Sequence, residues 1–565
     1  MDKRLSIALL LTAIIVAVTP ILFPTPRKPT PASVSPPVAE SQGATSQAPP
    51  VAAPSPPATN AVSPRVSPAV SPDSSGAISL TAATVTSSTA EMTTIETSKS
   101  IYKFSNLGAV PVSVVLRDYK NLSSAGGPVD LKLHSESLLR YALVLNADTI
   151  SLSGIPFQIS ESKAPSGHQL LTYRTAVQNA NIAISYEIVP DKYVLKIAGR
   201  VDGVSGQSFL LIQLPSSLPA QETDTLSDLR ALSYSFKPQR DHARGVPFGK
   251  LDPGEQKLEA GPLTWAAVRN KYFVVGIVSP TGSAFEEMTL VGGARTSKTA
   301  TSASATAVKA VKNGTFAFDM YVGPQQSTQL LEMGRDFDHV NPYGWSFLQP
   351  VVNPIAALCL KLLLWVHENL KISYGWVLVL FGVFIRLALW PLNQSAMRSS
   401  MKMQELQPKL AEVQSKYKDK PERQREEMMR VYKEAGASPF TALSGCLPML
   451  IPMPVLFALF FVFQNTIEFR GVPFLWLTDI SIKDPIYILP VLMGISMYVL
   501  SWIGLRNAPP NPQAKMMSYM FPVMMTFVLA NMASGLNLYY TAQNIAALPQ
   551  QWLLARERQK ARKAG

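Results

Sequence analysis

The sequence predicts an α-helical membrane protein that carries a large all-β domain, and three observations lead there. The 565 residues are 47% hydrophobic, but the apolar runs cluster near the N-terminus and after residue 350, while the middle third reads as soluble. Those runs are about 20 residues long, enough to cross a ~30 Å hydrocarbon layer at ~1.5 Å per residue. The middle alternates apolar and polar residues, as strands half-buried on one face do.

Composition narrows the function classes. Only two cysteines occur, Cys359 and Cys446, which excludes a disulfide framework and a cysteine zinc site. Both read as small buried apolar residues. The net charge is +13. A basic excess fits either nucleic acid or an anionic membrane face, so its placement must decide.

Residues 1–23 carry Lys3 and Arg4 ahead of an apolar run from Leu5 to Phe23. No small-x-small cleavage site follows, so they read as a signal-anchor helix with a cytoplasmic N-terminus. Residues 24–78 are dense in Pro, Ser, Ala and Thr and read as a disordered linker, because they cannot bury enough apolar area to fold. Residues 79–335 read as a β-sandwich. Ile182, Ile184, Tyr186 and Ile188 alternate with smaller or polar residues, Pro190-Asp191-Lys192 turns the chain, and Tyr193, Leu195 and Ile197 alternate again. That is a hairpin. Phe273 to Ile277 reads as a buried strand, and Phe316, Phe318 and Met320 mark another. His134, His168, His242, His339 and His367 lack metal-ligand spacing, and no nucleophile–base or paired-carboxylate motif stands out. A binding or scaffolding role is the reading for this domain.

Residues 340–372 mix apolar residues with Lys361, His367 and Glu368, which suits a helix lying along the membrane interface. Residues 373–396 read as the second transmembrane helix. Arg386 is the only full charge in the run from Gly375 to Gln394. An arginine near a bilayer centre costs roughly 2.5–3.5 kcal/mol and faces a wet cavity by default. The bland alternative is snorkelling to the cytoplasmic surface, which from this position is a long reach of about 12 Å.

Residues 397–440 read as a cytoplasmic helical hairpin with ten basic and seven acidic residues between 397 and 436. Met403, Leu406, Leu410, Val413 and Tyr417 step by three and four along its first helix, which Pro408 should kink. Pro421 starts a second helix with Met428, Val431, Tyr432 and Ala435 on one face. Two readings stay open: a solvated pair of helices packed on each other, or a docking arm for a cytoplasmic partner.

Residues 441–555 hold transmembrane helices 3–6, in apolar runs at 443–465, 485–505, 516–531 and 536–554. The last two are so close that a tight outer turn must join antiparallel helices. Lys and Arg sit in the inner loops and in the basic tail 556–565, which supports six spans with both ends inside. Asn537, Tyr540, Thr541 and Asn544 recur at helical spacing in the last span. Alone, such a stripe reads as interhelical hydrogen bonding; beside Arg386 it reads as one wall of a hydrated groove. Met516, Met517, Met520, Met524 and Met525 crowd the preceding span, as lipid or core packing or as a surface for varied apolar partners.

Several runs resemble the YidC/Oxa/Alb family of membrane protein insertases. They are Tyr374-Gly375-Trp376, Phe384-Ile385-Arg386, Pro391-Leu392, the stretch 401–409, Gly445 to Ile451, Asp484-Pro485 with Tyr487 to Gly494, and Ser534 to Tyr540. Tyr321-Val322-Gly323-Pro324 looks like the end of the family's periplasmic domain. The resemblance implies five helices around a positively charged groove, plus a periplasmic β-supersandwich tethered by the first helix in the bacterial inner membrane. It implies Arg386 as the groove charge, Tyr540 in its wall and 397–436 as the mobile hairpin. The implied partners are nascent membrane proteins, the ribosome, the Sec translocon and the lipid bilayer, with no cofactor and no specific nucleic-acid sequence. Gly382 stands where family members often carry a polar residue, and Pro549 is unexpected in the last span. No G-x-x-x-x-G-K-[ST] run is present, so energy would come from substrate partitioning. Two other classes remain: a secondary transporter binding an anionic solute through Arg386, without visible inverted repeats, and an enzyme or sugar-binding module in the β domain.

Overall fold

The computed structural model describes residues 90–133, 136–145, 148–203, 206–295, 299–341, 349–391, 394, 406, 409–418, 420–434, 453–505 and 512–564. The signal-anchor, the linker, Met403, Pro408, Ala435 and the run around Cys446 lie outside these residues.

The alternating sequence of the middle third folds as alternation requires. The strands Ala180–Ile188 and Val194–Asp202 pair antiparallel with Leu195 opposite Ile188 and Ile197 opposite Tyr186. This puts all the named isoleucines on one buried face. Phe273–Val278 is buried at every position because it pairs on both edges, with Gln256–Arg269 and Thr315–Pro324. A fourteen-stranded sheet runs from Asp148–Ser151 at one edge to Gln158–Lys163 at the other. The second edge is nearly all exposed and reads Gln-Ile-Ser-Glu-Ser-Lys, polar enough to discourage pairing with another chain.

The sheet folds over on itself. Tyr141 lies near one end of the strand order and Tyr186 near the other, yet their buried hydroxyls are 2.9 Å apart. Tyr186 also donates to the Ala109 carbonyl at 2.6 Å, so the separate four-stranded sheet of residues 92–130 closes the same core. The expected β-sandwich is therefore present, with two short helices at its margin, α1 (Thr225–Arg230) and α2 (Ser327–Met333).

The C-terminal region is helical: α3 (Gln349–Leu370), α4 (Tyr374–Ala388), α5 (Pro421–Glu434), α6 (Met453–Asn465), α7 (Ile488–Leu505), α8 (Pro512–Leu529) and α9 (Ser534–Ala564). Among the described residues α3 and α7 are long and apolar enough to cross a membrane, while the apolar parts of α4, α6 and α8 are shorter. The stretch expected as interfacial thus holds a helix of spanning length, and the span expected over 373–396 is a continuous helix from Tyr374 only to Ala388. Phe527, Leu358 and Met516 are 74%, 66% and 61% exposed, and similar large apolar side chains cover α4 and α7. A water-soluble monomer does not carry that much contiguous apolar surface; lipid covers it.

The motif residues at the N-terminal ends of α4, α7 and α9 have structural work. A β-carbon at Gly375 would sit 2.0 Å from the Phe474 ring, and one at Gly535 would lie 2.8 Å from Phe463 and 3.2 Å from Leu378. Asp484 is fully buried; its carboxylate accepts from the Leu489 and Ile486 amides at 2.8 and 3.1 Å and from Trp476 Nε1 at 3.2 Å. It thereby satisfies the Leu489 amide in the first turn of α7, which has no partner within the helix, and the Ile486 amide just before it.

Candidate functional site

Arg386 sits in the last turn of α4. The exposed residues Trp376, Leu380, Phe384 and Leu387 step by three and four along that helix and form its outward apolar stripe. Gly382 and Arg386, four residues apart, share a different face. At Gly382 that face meets α9: a β-carbon there would lie 2.9 Å from the Tyr539 carbonyl oxygen and 3.3 Å from the Ala542 β-carbon. Arg386 is therefore one turn beyond a helix crossing, away from the apolar stripe. Its side chain is half-buried, its Nε has no hydrogen-bond partner, and among the described residues no carboxylate lies within 4 Å of it.

The contact at Gly382 leaves no room for branching. Gly382→Val is expected to force α4 from α9 and cost roughly 1–3 kcal/mol, seen as a lower melting midpoint in nanodiscs. An unchanged midpoint would show that the crossing is loose.

The helix α9 is the hub. It runs parallel to α4, with Gly535 against Leu378, Tyr539 to Gln543 around Gly382, and Gln550 Nε2 donating to the Trp390 carbonyl at 3.3 Å. Asn537 is fully buried and donates to the Leu529 carbonyl at the end of α8 at 3.0 Å. Thr541 donates to the Asn537 carbonyl at 2.8 Å. Asn544 donates to Ser496 Oγ on α7 at 3.0 Å. Tyr540 is half-buried, its ring edge-on to Tyr539 at 5.3 Å. Three members of the polar stripe thus bond within the bundle, and the Gly382 crossing sets Arg386 beside α9. Pro549 stands on an exposed side of α9, which continues past it.

Asn544→Ala is expected to cost about 0.6–1.7 kcal/mol, the range for interhelical hydrogen bonds in membranes. The same melting assay checks it; no change would mean that the contact with Ser496 is idle.

In the hairpin, Leu410 is buried and Leu406 and Met428 are half-buried. Gln424 Nε2 donates to the Gln414 carbonyl at 3.1 Å, and Gln414 approaches Met428 Sδ at 3.9 Å, so the two arms touch. Among the described residues no three His, Cys, Asp or Glu side chains group as a metal centre.

Sequence reasoning passed over Arg470, which joins the two halves of the molecule. It lies in the loop after α6, and its Nε is 2.7 Å from Glu222 Oε1, with both side chains only 4% exposed. It also donates to the Gln221 carbonyl at 3.1 Å and covers the Phe273 ring at 5.3 Å. Burial pushes the Glu222 carboxyl up to about 7, against the pull of Arg470. Beside it, Ile467 is buried within the β-domain core. The only signal in the sequence was one arginine among the residues 466–487 that join α6 to α7.

Two family models match the chain: a 60Kd inner membrane protein over residues 365–562 and a YidC periplasmic domain over residues 92–357. A membrane protein insertase YidC of Chlorobaculum tepidum is 30% identical over 485 residues, covering 79% of each chain. One from Chlorobium limicola is 32% identical over 354 residues, covering 57% of this chain and 59% of its own. A crystal structure of an active YidC insertase with its first transmembrane domain resolved aligns over 83% of this chain and 93% of its own, at 17% identity and a TM-score of 0.33. With both halves matched and a relative aligned over most of its length, the chain belongs to the YidC family of membrane protein insertases.

Proposed function

We propose that this chain inserts membrane proteins without covalent chemistry, by offering Arg386 to the polar or acidic flank of an entering segment. The observation that carries the reading is an arginine turned from the apolar stripe of α4 and free of any carboxylate partner among the described residues. A charge so placed is stabilised by water or by a transient anionic partner. Arg386 and Tyr540 would line a groove open to the cytoplasm, with Asn537, Thr541 and Asn544 holding its wall in place. The apolar part of the substrate would pass along the outward side into lipid, driven by hydrophobic burial. A membrane potential adds ~2.3 kcal/mol per charge at 100 mV.

In this reading six spans cross the inner membrane, both termini are cytoplasmic, and the β domain is periplasmic. The hairpin of Met403, Leu406, Leu410 and Met428 receives chains from the ribosome, and the Sec translocon is a further partner. Vesicles holding only this protein should insert a short substrate with an acidic flank, with no nucleotide added. Strict dependence on nucleotide, or uptake of an anionic solute in place of insertion, would overturn the reading.

A further inference from the structure

A small polar cavity of about 30 Å³ lies where the loop after α6 meets the β domain and α3. Its walls include Gln325, Ser327, Asp338, Asn341, Thr466 and Glu468, and no Lys or Arg. Gln325 is 5% exposed, and its Nε2 donates to the carbonyls of Asn270 and Phe273 at 3.0 and 3.2 Å. Those two bonds fix the amide, and its Oε1 is buried with no partner. Thr466 is 2% exposed, and its Oγ1 also lacks a partner. Asn341 Nδ2 is a third orphan, and a half-turn of that amide presents Oδ1 instead. Glu468 accepts from the Ser327 amide at 3.3 Å and has no cationic side chain within 4 Å among the described residues. Burial raises its pKa. Asp338 has one oxygen, Oδ2, 3.4 Å from His339 Nδ1, which leaves Oδ1 for another partner.

We propose that this cavity is a calcium site, formed by the Glu468 and Asp338 carboxylates with Gln325 Oε1, Thr466 Oγ1 and the Asn341 amide oxygen. The donor set is all oxygen with two negative charges, the chemistry of a hard divalent cation. Calcium accepts irregular cages of six to eight oxygens, whereas magnesium keeps several waters and the cavity has room for about one. A water molecule alone fills the space but leaves Glu468 without a cation. A bound ion would tie the loop to the β domain beside the contact between Arg470 and Glu222.

The test uses the full chain in nanodiscs, stripped with a chelator and titrated with calcium or with magnesium to about 10 mM, a range that covers weak extracytoplasmic sites. One calcium should bind per chain. The melting midpoint should rise by roughly 5 °C at a hundredfold excess over the dissociation constant. Glu468→Gln and Asp338→Asn should each abolish saturation, while Glu332→Gln, which removes a surface partner of Lys192, should not. If Glu468→Gln fails to fold, the wild-type stoichiometry and Asp338→Asn decide. No saturable calcium binding, equal binding of magnesium, or binding that survives Asp338→Asn overturns the proposal and leaves a buried water as the occupant.

Discussion

Arg386→Ala should slow insertion of substrates with acidic flanks about tenfold, and Arg386→Lys should keep most of the rate. At an effective dielectric of ~20, unit charges ~6 Å apart attract by roughly 3 kcal/mol. Halving that for water in the groove leaves about 1.4 kcal/mol, a factor of ten. Lysine keeps the charge but loses the planar fork of donors. Substrates with neutral flanks should respond weakly to either change. The measurement is the rate of protected-fragment formation in vesicles reconstituted with each variant. Equal rates for all three with an acidic-flank substrate would remove Arg386 from the mechanism.

Arg470→Ala should be strongly destabilising, at roughly 3–5 kcal/mol. The cost comes less from the lost attraction than from the Glu222 carboxyl left buried without its partner, at 4% exposed. Truncating the guanidinium also removes the donor to the Gln221 carbonyl and uncovers Phe273. Replacing both partners with apolar residues, Arg470→Met with Glu222→Leu, should recover much of the loss. Thermal unfolding and protease cleavage between the β domain and α3 report the outcome. A loss below about 1 kcal/mol would show that the pair is exposed to water in solution, where such pairs contribute little.

How much the sequence revealed depended on whether the deciding neighbour was local. The hairpin from Ile182 to Ile197 was legible because its alternation, turn and register lie within sixteen residues. The tight turn before Ser534 was legible for the same reason. Arg386 stood out because an apolar run makes a single charge conspicuous. Its relation to α9 did not, since that rests on Gly382 meeting a carbonyl more than 150 residues away. The polar stripe of α9 shows the same limit. Spacing shows that Asn537 and Asn544 share a face, but not whether water or a helix lies opposite. Asn544 finds its partner 48 residues earlier. Arg470 and Glu222 are 248 residues apart, and neither is unusual among its own neighbours.

The most direct test places a photocrosslinking probe at residue 386 or 540 and presents ribosome-bound nascent chains of increasing length to the protein in its membrane. Both probes should capture the polar flank of the chain at an early length and release it as the apolar segment enters lipid. Crosslinks to lipid alone at residue 386, at every chain length, would contradict this.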